Sequence, residues 1–129
     1  MQKIIKRLIL LLILCTSTIA LCHYFVVSFP AWSDVSIQDG DLQQTLPWDD
    51  ANTIKAIFRG KVYDVLGDGT GCPFSKQLSI TIGNKVFALS QDGCHTVLEL
   101  TSGKDFAFSD RQWSIIRMIF QSYNMKIPQ

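Results

Sequence analysis

Several things are missing from this sequence, and each absence excludes a class of protein. There is no Gly-x-Ser-x-Gly elbow, no His-Glu-x-x-His pair and no Walker loop, so common hydrolase and nucleotide-binding chemistries have no signature here. No Cys-x-x-Cys is present, which leaves a structural zinc site without its usual ligand spacing. Beyond residue 32 no basic run exists: nine Lys/Arg stand against eleven Asp/Glu, a balance of −2. A nucleic-acid-binding domain normally gathers its cations on one face, so no nucleic-acid partner is expected. With few acids, bases and nucleophiles to converge, neither an enzyme nor a cofactor is expected.

Charge is also missing from Leu8 to Val27, twenty residues that read LILLLILCTSTIALCHYFVV. At 1.5 Å per residue, such a helix spans about 30 Å, the thickness of a bilayer's hydrocarbon core. Lys3, Lys6 and Arg7 precede it, and no cation follows until Lys55. The positive-inside bias places the N-terminus in the cytoplasm and everything after Phe29 outside, in the arrangement of an uncleaved signal anchor. The competing reading is a signal cleaved after Thr18 and Ala20, releasing the chain to the periplasm. Apolar residues continue past that site through Tyr24, Phe25, Val26 and Val27, and Phe29, Pro30 and Trp32 make an interfacial belt, so the anchor is preferred. A lipoprotein is least favoured, because Leu21 stands where a small residue is needed before Cys22. Cys15 and Cys22 share a helix face and read as small apolar residues, or else as a helix contact or acylation sites. His23 reads as a snorkelling polar residue.

The chain therefore divides into a basic start and anchor (1–32), a polar tether (33–47) and a folded domain (48–129). Ser33 to Pro47 shows no sustained periodicity and contains Asp39-Gly40. Thr53–Leu66 fits either of two elements. Ile54, Ile57 and Phe58 have helical spacing with Gly60 as a stop; read as a strand, Ile54, Ala56, Phe58 and Val62 share a side. The prevalence of Ile, Phe, Val and Tyr favours the strand. Leu78, Ile80 and Ile82 alternate with Ser79 and Thr81, Gly83-Asn84 fits a hairpin turn, and Val86–Ser90 returns. Further turns at Gln91–Gly93 and Ser102–Lys104 lead into His95–Thr101 and Phe106–Phe108. Ser109 and Gln112 match a capping box ahead of a helix from about Asp110 to Asn124. Its stripe of Trp113, Ile116, Phe120 and Tyr123 is read as core, with a partner-binding face as the sharper alternative.

The expected fold is α+β: a transmembrane helix, then an antiparallel sheet of four or five strands with one C-terminal amphipathic helix on it. The expected core is Phe58, Val62, Leu78, Ile80, Ile82, Phe87, Leu89, Leu98, Leu100, Trp113, Ile116 and Phe120.

Cys72 and Cys94 are the only cysteines beyond the apolar segment. Each sits by a Gly-containing turn, and a bridge between them would close a loop of roughly 23 residues, contributing about 3.4 kcal/mol in the chain-entropy estimate. An oxidising compartment and a structural disulfide agree with each other. Other chemistry here is weaker. Cys94-His95 as nucleophile and base fails if the two are strand neighbours pointing to opposite faces. The Gly67–Gly71 run (GDGTG) has three glycines but no Lys-Ser/Thr after it. Asp64, Asp68 and Asp92 do not match a calcium-loop spacing. His95 as a pH sensor has the passive reading of a lone His on a sheet surface against it.

The short basic start, the single anchor Leu8–Val27, the tether and a β-rich outer domain make the chain resemble small membrane co-regulators of Gram-negative bacteria. These are the ToxS-type, FidL-like and PsaF/MyfF-like proteins, encoded beside membrane-spanning winged-helix transcription factors of the ToxR type. Paired cysteines like Cys72 and Cys94 occur in some members. The resemblance covers the whole chain as a plan, without a diagnostic motif. It implies a non-enzymatic outer domain that binds a membrane-protein partner with a periplasmic domain, protects it, and senses bile, pH or redox state. The alternative expectation is a periplasmic inhibitor, immunity or exclusion protein, with ligand residues on the loops Asp68–Phe74 or Gln91–His95. A component of pilus or secretion-system assembly is a third option.

Overall fold

The computed structural model describes residues 1–65 and 72–127. Helix α1, Gln2–Phe25, has 24 residues and no residue buried against the rest of the protein. It is long and apolar enough to cross a membrane, with a mean hydropathy of 2.2 over its best window. The hydroxyls of Thr16 and Thr18 donate to the carbonyls of Leu12 and Leu14 at 3.0 and 2.8 Å, so neither polar group stays unsatisfied in an apolar setting.

Residues 33–47 are not a tether. Val35–Asp39 forms β1 and Leu42–Thr45 forms β2, paired in an antiparallel hairpin around Gly40-Asp41. Val35 and Ile37 face the core while Ser36 and Gln38 do not, a period of two carried by only two apolar residues. All of β2 is exposed, so its polar sequence carries no burial signal.

Trp48–Phe58 is helix α2, which overturns the strand reading of 53–66. Asp49 and Asp50 sit in its first turn, where they complement the helix dipole. Ala51, Ile54, Ile57 and Phe58 make one buried helical face. Composition favoured a strand, but burial against the sheet outweighs that weak preference. Gly60, with φ of +78°, then turns the chain in a conformation that side-chain-bearing residues rarely adopt. Val62 is 64% exposed, so it leaves the expected core.

Four strands follow: β3 (Phe74–Ile82), β4 (Lys85–Ser90), β5 (Thr96–Glu99) and β6 (Asp105–Ala107). The sheet has six strands in the order β2-β1-β3-β4-β5-β6, each neighbouring pair antiparallel. The sheet exceeds the expected four or five strands because the supposed tether supplies two, β1 and β2, while the strand expected over 53–66 is lost to α2. Gly83 takes positive φ at the first central position of the β3–β4 turn, as a II′ hairpin requires. Between Ser75 and Ser79 the β3–β4 register shifts.

Opposed residues in an antiparallel ladder share a face, which defines the core side. Val35 opposes Ile82, Ile37 opposes Ile80, which opposes Phe87, and Leu89 opposes Val97, which opposes Phe106. Helices α2 and α3 (Asp110–Ser122) close over these residues. The capping box on α3 is complete: Gln112 N–H donates to Ser109 Oγ at 3.2 Å, and Ser109 N–H to Gln112 Oε1 at 3.1 Å. Phe58 is fully buried and meets Phe87, Phe106 and Phe108 edge-on at 4.9, 5.7 and 5.0 Å between ring centres. Leu98 and Leu100, expected in the core, are half-buried.

Candidate functional site

The chain enters the domain directly from α1. Val26 bridges Val62, Val27 N–H donates to the Lys61 carbonyl at 2.8 Å, and Tyr63 N–H donates to the Phe25 carbonyl at 2.8 Å. Val27 is 1% exposed, so the folded unit begins at the last turn of the helix rather than at residue 48. The segment beyond is held by a buried cation: Lys55 Nζ, on α2, donates to the carbonyls of Ala31 and Ser33 at 2.7 and 3.1 Å. An ammonium with two carbonyl acceptors is hydrogen-bonded, which makes its burial tolerable.

This anchoring leaves two of the three tryptophans outside the core. Trp32 is 84% exposed and Trp48 is 77% exposed. They flank one cleft of about 390 Å³, floored by Val35, Leu46 and Ala51, with Asp34 also lining it. Large indoles beside an apolar floor are the residue type and shape in which binding energy concentrates at protein interfaces. Ser33 and Lys55 line it as well, so the cleft is polar and apolar in about equal measure.

The α3 stripe is not such a face. Trp113, Ile116 and Phe120 are all 0% exposed, as the core reading expects, which sets aside the partner-binding alternative for them. Tyr123 is half-buried and donates to Asp50 Oδ2 at 2.6 Å, tying α3 to α2. That bond, more than burial, raises its pKa, because the neighbouring carboxylate accepts from the neutral phenol and repels the phenolate.

Cys72 and Cys94 form the expected disulfide, 22 positions apart. Asp92 lies close to both sulfurs, but the bond consumes them as metal ligands. Residues 66–71, which include the GDGTG run and Asp68 of the possible calcium trio, lie outside the described residues. His95 is not on a strand: β5 begins at Thr96, and His95 has φ of 54°. Its ring stacks on Trp113 at 5.1 Å, and Nδ1 lies 3.1 Å from Asp110 Oδ1. Cys15 and Cys22 are exposed thiols on α1.

Two buried acids lie at the β5–β6 end. Glu99 accepts from Tyr63 OH at 2.5 Å and from Ser102 Oγ at 2.9 Å. Burial first, then the bond and charge of Glu99, push the Tyr63 phenol well above its ordinary range. Burial first and the charge of Asp64 second raise the Asp105 carboxyl pKa, against a smaller opposing effect of its own N–H. The native state therefore holds this proton more tightly than the unfolded chain does. Stability declines as pH rises from the ordinary carboxylate range through the raised value, and the penalty is absent below that range. Asp105→Asn is expected to raise the melting temperature at neutral pH and to flatten its acid-side dependence, as thermal melts across pH would show. A lower melting temperature at neutral pH would mean that the carboxylate is held charged.

In the sequence Trp32 reads as part of an interfacial belt with Phe29 and Pro30 and Trp48 as an isolated aromatic between Pro47 and Asp49, so neither signals a shared cleft. The architecture is that of a small α+β domain carried at the end of one apolar helix. The chain matches no protein-family model, no curated protein and no solved structure.

Proposed function

We propose that the chain is a non-enzymatic accessory protein held by α1 in a bacterial inner membrane, with its N-terminus cytoplasmic and its α+β domain in the periplasm. There it binds, and stabilises or regulates, a membrane partner. By its resemblance to ToxS-type co-regulators, that partner is a transmembrane transcriptional regulator of virulence or fimbrial genes. The supporting observation is the Trp32–Trp48 cleft, held directly beside the emerging helix by Lys55. A binding surface fixed next to an anchor meets membrane partners in two dimensions, so a weak interface suffices. The leading cations and the Cys72–Cys94 bridge agree with this orientation.

Trp48→Ala and Trp32→Ala are each expected to weaken partner capture by about thirtyfold, the scale of an interface hot spot of about 2 kcal/mol. Both side chains are exposed, so the melting temperature should stay within the range of ordinary surface changes. A photo-crosslinking residue at position 48 in living cells should trap a co-encoded membrane protein. Capture of a soluble secreted enzyme would instead support an inhibitor or immunity role, and unchanged capture by both variants would remove the cleft from the interface.

A further inference from the structure

A second cleft, of about 420 Å³, lies where α1 leaves the domain, lined by His23, Ser28, Phe29, Pro30 and Lys85. Lys85 lines the cleft, and with it two further cations from separate elements contact the stretch from Tyr24 to Phe29. Lys85 Nζ, at the start of β4, donates to the Ser28 carbonyl at 2.7 Å. Lys104 Nζ, from the turn before β6, donates to the Tyr24 carbonyl at 2.6 Å and lies 3.6 Å from the centre of the Tyr24 ring. The Arg59 guanidinium, just after α2, lies 5.4 Å over the Phe29 ring. Among the described residues the only ion pair is His95 with Asp110, so none of these three cations pairs with a described carboxylate. An ammonium has three donors, and the bonds to Ser28 and Tyr24 use one on each lysine. Lys61 is nearby in the chain but its ammonium is engaged by Ala107 and Gln112, so it does not belong to this set.

The domain as a whole is slightly acidic, yet the rim around the helix exit carries open cations over aromatic and proline surface. A bilayer interface offers the matching chemistry at that level: phosphodiesters beside the first methylenes of the acyl chains. We propose that this collar of Arg59, Lys85 and Lys104 binds the headgroup phosphate of an anionic phospholipid in the outer leaflet of the membrane that α1 spans. Its apolar floor, Phe29 and Pro30, would lie along the glycerol and upper chain. The lipid then fixes which side of the domain faces the bilayer, and so aims the Trp32–Trp48 cleft. The proposal rests on α1 being a retained anchor.

The test uses the full chain in detergent micelles doped with equal amounts of phosphatidylglycerol and phosphatidylcholine, with native mass spectrometry of the retained lipids. Each cation near an anionic surface contributes about fivefold, so the collar should favour phosphatidylglycerol by up to about a hundredfold. Lys3, Lys6 and Arg7 at the other helix end supply a background common to every variant. The triple variant Arg59→Gln, Lys85→Gln, Lys104→Gln should fall to that background, while Lys85→Arg with Lys104→Arg should keep the preference and control for folding. Equal retention of the two lipids by the unaltered chain, undiminished preference in the triple variant, or displacement of the lipid by inorganic phosphate would each overturn the proposal. The intact mass separates the two readings. A chain isolated from cells cut near Ala20 would overturn the anchor and the collar together, whereas a full-length chain without lipid preference overturns the collar alone.

Discussion

Phe58→Ala should remove most of the domain's stability and leave it only marginally folded. The ring is fully buried and is shared by Phe87, Phe106 and Phe108, so truncation opens a cavity among rigid aromatic neighbours that cannot collapse into it. Such substitutions cost about 4 kcal/mol. A domain of this size has a total stability of about 5 kcal/mol, so little would remain. Phe58→Leu, which keeps most of the volume, should cost roughly a third as much. Val62→Ala is the paired control. In a strand over 53–66 the two side chains would share a buried face and both changes would hurt. With α2 ending at Phe58 and Val62 64% exposed, the second change should be within about 0.5 kcal/mol of neutral. Urea denaturation of the two variants decides between these outcomes, and comparable losses would restore the strand.

The second large effect is expected from Cys72→Ser with Cys94→Ser. The bridge closes the open end of the β3–β4 hairpin, next to the register shift between Ser75 and Ser79 and beside the Gln91–Pro73 backbone bond. It thus holds the two strands together where their ladder is irregular. Removing a cross-link of this span should cost about 3 kcal/mol, chiefly by enlarging the unfolded ensemble. The unaltered chain in strong reductant should show the same urea midpoint as the double variant. A midpoint unmoved by reductant would mean that the bridge does not stabilise the domain. Alkylation of thiols in intact cells checks the compartment as well, since two reactive thiols at these positions would contradict the periplasmic placement.

The elements that could be read in advance are those whose signal is local. The β3–β4 hairpin was visible because Leu78, Ile80 and Ile82 alternate up to Gly83-Asn84, and turn and strands together span only residues 74–90. Helix α3 was visible because Ser109 and Gln112 satisfy each other three residues apart, directly before the Trp113–Ile116–Phe120 period. The misreadings have a common cause. β2 is wholly exposed and exists only because β1 offers it a ladder, and β1 in turn is held by Ile80 and Ile82 more than forty positions later. Helix α2 has a β-rich composition, and only the sheet beneath it gives Ala51, Ile54 and Phe58 something to be buried against.

By itself, the order of residues determined an apolar helix preceded by cations, a cysteine pair placed to bridge a hairpin, and a sheet followed by a capped helix. Each of these depends on periodicity, capping or turn chemistry that acts over a few residues. Only the tertiary structure decided that Trp113, Ile116 and Phe120 are spent on the core while Trp32 and Trp48 remain outside. It alone brought Lys85 and Lys104 to carbonyls 57 and 80 positions away, at the foot of α1. Such contacts form only after chain folding has brought distant segments together, and no spacing along the chain encodes them.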